Sequence, residues 1–523
     1  MEIEIEEEAL KTDFFTERRT IMTTEKQKQE ISEPQESKED VGVLDQLLSK
    51  VNMKSPERAM SLDEAIKSES GSGRLAFAIN HFVQAVAESG TQVEMLDKTM
   101  IDMAIANLDK KIGAQVNEII HHPDFQELES SWRGLYFAIE RTDFRQNIKM
   151  ELMNCSMEKL REDFEDTPDI VQSGLYKQIY KSEYDTPGAA PVAAMIGNYE
   201  FDKSIQDMTL LQNVSKVAAS THCPFLTSVG ADFFGEKDIS AISSKPDISS
   251  FFDQAEYMRW NSFRSSEDSR YVGLTLNKFL GRLPYGEEGE KVKTFSFEED
   301  YSAKEKYLWT NPAFAFLSNI NRSFAKNGWA VNIRGPQAGG KVDDLPTHIF
   351  ESSKGKQIRI PTEMLLAERQ EFELAESGFI PLSIYKGKNF GVFFSAHSAQ
   401  KPVEYNDKAA TANARLSANL PYLFLVSRLA HYLKVLQREE IGSAREKEDI
   451  QKELSKWINS LVTKASSPTA EQKAKYPLRE AKIEVFDSKE APGYYHVSMK
   501  VRPHFQVEGV DIDLSLVARM PKK

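Results

Sequence analysis

The sequence predicts an α+β, multi-domain fold: a helical N-terminal segment, a mixed α/β middle, and a C-terminal module of two helices and antiparallel strands. Three observations predict it. Apolar residues recur at helical spacing around residues 101–119, 425–436 and 450–461. Between about residues 147 and 402, strand-like apolar runs, a helical pattern and aromatic Gly/Pro-rich pieces succeed one another. At the end of the chain Val510, Ile512, Leu514 and Leu516 alternate with Asp511, Asp513 and Ser515, the period of a half-buried antiparallel strand.

Composition narrows the function. A chain of 523 residues exceeds one ordinary core, and 40% hydrophobic with 10% aromatic residues can fill several. A formal net charge of −14 argues against nucleic acid and anionic membrane as main partners, since both need basic surface. No run approaches the ~18 continuous apolar residues of a membrane span. The acidic start (Glu2, Glu4, Glu6, Glu7, Glu8) lacks a signal-peptide layout. The expected location is cytoplasmic. The two cysteines, Cys155 and Cys223, make neither a zinc spacing nor a disulfide framework.

Residues 1–40 are polar and charged and read as a disordered tail, with Met1 and Met22 both open as the start. Residues 41–56 hold a short amphipathic helix. Val43, Leu44, Leu47, Leu48 and Val51 fall at i, i+1, i+4, i+5 and i+8, and Pro56 closes the segment. Such a helix docks on another protein or packs back on its own domain.

Residues 57–405 are expected to form the α/β region. It opens with a helix over about 93–122, with Ile101, Ile105, Leu108, Ile112, Val116 and Ile119 as its stripe. His121, His122 and Asp124 suggest metal ligands only superficially. Adjacent helix positions diverge by about 100°, and histidines suit a helix C-terminus. Residues 191–201 read as a buried strand, and 207–225 as a helix running into a second apolar segment. His222 and Cys223 are adjacent, so they rarely face each other as a catalytic pair; Cys223 reads as a buried thiol.

The stretch VNIRGPQAGGKVDDLP, residues 331–346, raises a nucleotide hydrolase as a rival function. Gly335 together with Gly340 and Lys341 reproduces most of a phosphate-binding loop. The Mg²⁺-holding Ser/Thr position is Val342, and Asp343, Asp344 and Pro346 stand where the loop's helix should begin. The favoured reading is a Gly-rich turn leaving a strand formed around Trp329, Ala330, Val331 and Ile333.

Residues 406–523 form the C-terminal module. Leu425, Leu429, Tyr432, Leu433 and Leu436 share one helical face, and Gly442 ends that helix. A capping box from Ser443 to Glu446 opens the next, with Ile450, Leu454, Trp457, Ile458 and Leu461 on its face. Three strands come after it, and the last offers an edge to a neighbour or stays buried in its own module.

Many blocks in order then carry a resemblance: HHPDFQELESSWRGL, PVAAMIGNYEF, SRYVGLTLNKFLGRLPYG, YLWTNPAFAF, FAKNGWAVNIRGPQAGGKVDDLPTH, PTEMLLAERQEFELAESGFIPL, LPYLFLVSRLAHYLKVLQREEIG and YPLREAKIEVFD. From about His121 onward the chain resembles the TssC/VipB family, the large subunit of the type VI secretion contractile sheath. The resemblance implies a contractile tail-sheath-like fold in which the glycines of the 331–346 block are structural. It implies a structural protein, not an enzyme, with no cofactor or metal. The implied partners are a small sheath subunit, neighbouring sheath protomers, inner-tube hexamers, a baseplate and an AAA+ unfoldase. The 43–51 helix resembles the segment that the unfoldase engages, and terminal strands such as 510–516 interlock protomers in this family. The sheath of another phage-tail-like contractile system is the nearest alternative.

Overall fold

The computed structural model describes residues 98–504, apart from 246, 353–354, 440–445, 466 and 488–494. The 43–51 helix and the 510–516 strand lie outside the described residues. The chain divides into two compact units, Met1–Ile112 and Gly113–Lys523. The described part of the first is the opening half of helix α1 (Lys98–Ile120), on which Ile101, Met103, Ile105, Leu108 and Ile112 are exposed. The predicted stripe is therefore helical but faces outward. The rest of the described chain belongs to the second unit.

The frame of that unit is a six-stranded mixed sheet. Three of its strands come early in the chain: β1 (Met195–Phe201), β2 (Phe225–Val229) and β3 (Val272–Leu276). Next come the short strands β4 (Lys341–Val342), β5 (His348–Ser352) and β6 (Gly355–Arg359), then β7 (Phe379–Ile384) and β8 (Gly391–Phe393). Strands β1, β2, β3 and β7 run parallel, side by side in that order. β8 pairs antiparallel with β7, and β4 closes the far edge antiparallel to β8. β1 is the other edge, which is why residues 195–201 are less buried than the sequence suggests. β5 and β6 pair with each other in a separate hairpin.

Each face of the sheet has its own core, because successive strand residues point to opposite sides. Helix α3 (Ile205–Thr221) lies on one side, with Leu211, Val214, Val217, Val272, Leu274 and Phe379 in that core. Ser204 starts α3 by accepting from the Asp207 amide. Helix α4 (Pro312–Asn327) lies on the other side with Phe316, Ile320, Leu226, Ile380 and Leu382. Helix α2 (Pro123–Glu140) packs on α4 through Gly134, Phe137 and Ala138, and a Cβ on Gly134 would collide with the Phe314 ring.

Helix α5 (Leu420–Glu439) joins this body to the C-terminal module. Its first turns enter the sheet core through Leu420, Leu423 and Phe424. They come close because β3 carries Gly273, where a Cβ would lie 2.9 Å from Leu420 and 2.6 Å from Leu226. Its later residues Leu425 and Leu429 enter a third core with Leu454 and Ile458 of α6 (Lys447–Ser460). Helix α6 starts at Lys447 with Glu446 at its N-cap, three residues later than the predicted capping box.

Candidate assembly surfaces

The 331–346 block departs from its sequence reading at its start. No strand precedes the loop. Helix α4 ends on Gly328 in the left-handed region (φ 77°), and an irregular run carries the chain into the glycines. That run is apolar because it touches two cores alternately. Trp329 and Val331 enter the third core, with the Trp329 ring 6.1 Å from Tyr432, while Ile333 enters the sheet core. The segment from Trp329 to Ile333 thus pins the C-terminal module to the sheet.

The glycine loop folds on itself. Gly335 donates to the Phe393 carbonyl at 2.7 Å, Gly340 to Gly335 at 2.9 Å, and Phe393 to Gly340 at 2.9 Å. A Cβ on Gly340 would collide with backbone of Gly335 and Phe393. These amides close a turn and do not converge on an anion. Lys341 pairs with Asp343 at 2.5 Å and lies 4.4 Å over the Phe390 ring. The chain then runs into the two-residue strand β4 and Asp344 at φ 53°, not into a helix. Beside the loop is a cavity of about 400 Å³ whose lining mixes Glu140, Arg141, Arg322, Asp343 and Asp344. Burial lowers the affinity of Arg141 and Arg322 for their protons, and Arg141 adds to the effect at Arg322. Both arginines hold carbonyls: Arg141 reaches Asp343 and Asp344 at 3.4 Å, and Arg322 reaches Gly339 and Lys341.

The histidines act separately. His122 caps α2, its Nδ1 accepting from the Asp124 amide at 3.3 Å. This corrects the helix-terminus reading, because α1 stops at Ile120 and His122 belongs to the next helix. His121 reaches Glu299 at 3.3 Å. His222 sits at φ 53° as the C-cap of α3, with its Nδ1 3.0 Å from the Tyr271 hydroxyl. Cys223 is fully buried, and burial alone pushes its thiol far up.

The C-terminal module ends in a long antiparallel ribbon, β9 (Leu478–Asp487) and β10 (Tyr495–Pro503). Ile483 faces Met499, Val485 faces Val497, and Ala481 faces Val501. These pairs pack towards α6, while Lys482, Lys500 and Phe486 look outward. Among the described residues no strand covers the outer edge of β10. Just past it, His504 is held three ways: its amide donates to Pro477 at 3.1 Å, its carbonyl accepts from Tyr422 at 3.3 Å, and its Nε2 lies 2.8 Å from the Thr463 hydroxyl.

Comparison with known proteins identifies the family. Residues 102–400 match the EvpB/VC_A0108 tail sheath N-terminal domain, and residues 409–520 the tail sheath gpW/gp25-like domain of the same family. The chain is 42% identical over 427 residues to the type VI secretion system sheath protein TssC1 of Pseudomonas aeruginosa, covering 80% of this chain and 86% of that protein. Among solved structures, the anti-feeding prophage baseplate aligns at TM-score 0.36 and 9% identity, covering 71% of this chain and 83% of that one. The contracted helical sheath of the same prophage aligns at TM-score 0.30 and 10% identity, covering 59% and 66%. No described helix is long and apolar enough to cross a membrane. With both domains matched and one relative aligned over most of both chains, the chain belongs to the EvpB/VC_A0108 tail sheath family, as a large sheath subunit of type VI secretion.

Proposed function

We propose that this chain is a non-enzymatic subunit that pairs in the cytoplasm with a small sheath subunit, polymerises around an inner tube of hexamers on a baseplate, and contracts to drive that tube outward. The observation that carries this reading is the match of both sheath domains across residues 102–400 and 409–520. The ribbon, whose outer edge no described strand covers, supports strand pairing between protomers, with the strand around Val510, Ile512, Leu514 and Leu516 as the added partner. The helix with Val43, Leu44, Leu47, Leu48 and Val51 is proposed as the handle by which an AAA+ unfoldase recycles the contracted sheath.

The test is co-expression with the small sheath subunit and electron microscopy of the product. Long tubules containing both chains are expected. Tubules formed by this chain alone would favour a one-subunit contractile tail, and a monodisperse chain turning over nucleotide would favour an enzyme.

A further inference from the structure

The two strands of the C-terminal ribbon are finished unequally. On the face over α6, Ile483 and Val485 of β9 are buried, at 3% and 2% exposure. Their opposite residues on β10, Met499 and Val497, stay half-buried, as does Val501. The apolar face is closed along β9 and open along β10. On the other face Lys482 and Lys500 stand directly opposite each other, a like-charge pair that weakens a ribbon left to itself. Glu484 takes Lys482 at 2.5 Å, and Glu480 takes Arg502 at 3.5 Å. Lys500, felt by Glu484 at longer range, has no carboxylate within ion-pair distance among the described residues. Strand β10 thus presents Lys500 and Arg502 and no acidic residue, whereas β9 presents Glu480 and Glu484 around Lys482.

The terminal sequence has the complementary pattern. Val510, Ile512, Leu514 and Leu516 alternate with Asp511, Asp513 and Ser515. A strand added beside β10 shares its two faces, and a slip of one residue would exchange them. With the apolar set continuing Val497, Met499 and Val501 over α6, the two aspartates fall on the face of Lys500 and Arg502. Beside β9 they would meet Glu480 and Glu484 instead. The chain does not turn back onto this edge where β10 ends, because the His504 amide donates to Pro477 at 3.1 Å and carries the ladder one residue further. We infer that the outer edge of β10, not that of β9, receives residues 510–516 of a second copy of this chain, with Asp511 and Asp513 beside Lys500 and Arg502 as the charge pairs that fix edge and register. This rests on the strand pairing proposed above and adds to it the edge, the facing and the residues that select them.

The test titrates a fluorescein-labelled peptide of residues 508–518 with the full chain and follows its anisotropy. The peptide should bind, and bind more weakly as salt rises. Lys500→Glu and Arg502→Glu together should lower the affinity by about tenfold or more. A peptide carrying Asp511→Lys and Asp513→Lys should bind poorly to the unaltered chain and recover on the doubly reversed one. Equal binding of both peptides to the unaltered chain would overturn the inference without recourse to any ribbon variant. So would an affinity that the double reversal leaves unchanged. Absence of binding would overturn it too, and would assign the edge to the chain's own terminal strand. No small subunit is present, so tubules on co-expression without peptide binding would keep the sheath reading and end this edge assignment.

Discussion

Arg282 and Glu299 form a two-pronged ion pair, 2.6 Å and 3.1 Å, with side chains only 3% and 1% exposed. Glu129 of α2 closes the other side of Arg282 at 2.8 Å, and Glu299 also accepts from the Tyr285 amide at 2.8 Å. Burial alone would depress the Arg282 guanidinium; the two carboxylates outweigh it and hold it above its usual range. Removing one member strands a buried charge, so Arg282→Met should cost about 3–5 kcal/mol in urea unfolding. Adding Glu299→Gln should recover part of it, because the stranded charge goes too. A cost under about 1 kcal/mol for the single change would mean that the cluster is wetter than its burial indicates.

The glycine loop predicts two opposite outcomes one residue apart. Lys341→Ala loses a half-exposed ion pair and should cost under about 1 kcal/mol while leaving tubules intact. Gly340→Ala forces a Cβ into backbone and should cost more than about 2 kcal/mol. Thermal unfolding of both variants checks this. A Mg²⁺-dependent ATP affinity abolished by Lys341→Ala would refute the structural account.

Replacing Leu44, Leu47 and Leu48 together with Ala should permit assembly and contraction and block disassembly by the unfoldase. Each buried Leu is worth roughly 1.5–3 kcal/mol to such a contact. Time-lapse imaging of sheaths in cells distinguishes persistence after contraction from failure to assemble, and failure would place the helix in the sheath wall.

Deleting residues 511–523 should leave a soluble pair with the small subunit and no tubules. Loss of the pair itself would show that the strand stabilises its own module, and normal tubules would end the interlocking idea.

Acid should weaken the fold before any carboxylate network fails. Burial holds the His431 imidazole down at about 4, aided by Arg428, His222 and Lys434, and burial with Arg334 and Arg264 does the same for His397. Their ordinary value in an unfolded chain is 6.5. The unfolded state therefore takes up protons first. Stability present above pH 6.5 is lost as pH falls from there towards 4, by roughly 3 kcal/mol per histidine at the lower end. Asp300, held to about 2 by Lys306, contributes only to losses at lower pH. Urea midpoints at pH 7, 5.5 and 4.5 should fall steadily, and His431→Gln should flatten the slope. An unchanged midpoint across that range would show both histidines to be solvated.

Periodicity exposes the elements whose burial is one-sided. Leu425, Leu429, Leu454 and Ile458 lie in the third core, as their spacing requires. The same spacing places the 101–112 stripe on a helix but says nothing of its exposure, because an exposed apolar stripe and a buried one look alike in sequence. Trp329, Val331 and Ile333 mimic a strand because alternation has two causes, a sheet face and a chain threaded between two cores. Arg282, Glu299 and Glu129 leave no local signal, being 17 and 153 positions apart. The proposed docking helix and terminal strand are legible only as patterns, and both lie outside the described residues.

His504 also decides how the module answers force. The ribbon begins at Leu478 and ends opposite it at Pro503, so its two ends leave from one side. Pulled there, a hairpin opens like a zipper, one rung at a time, whereas a pull along its strands would load every rung together. The three contacts of His504 to Pro477, Tyr422 and Thr463 stand between a tug on the chain beyond it and the first rung. A tug on the chain beyond His504 is thus shared among Pro477 at the start of β9, Thr463 and, through Tyr422, helix α5 before the zipper opens.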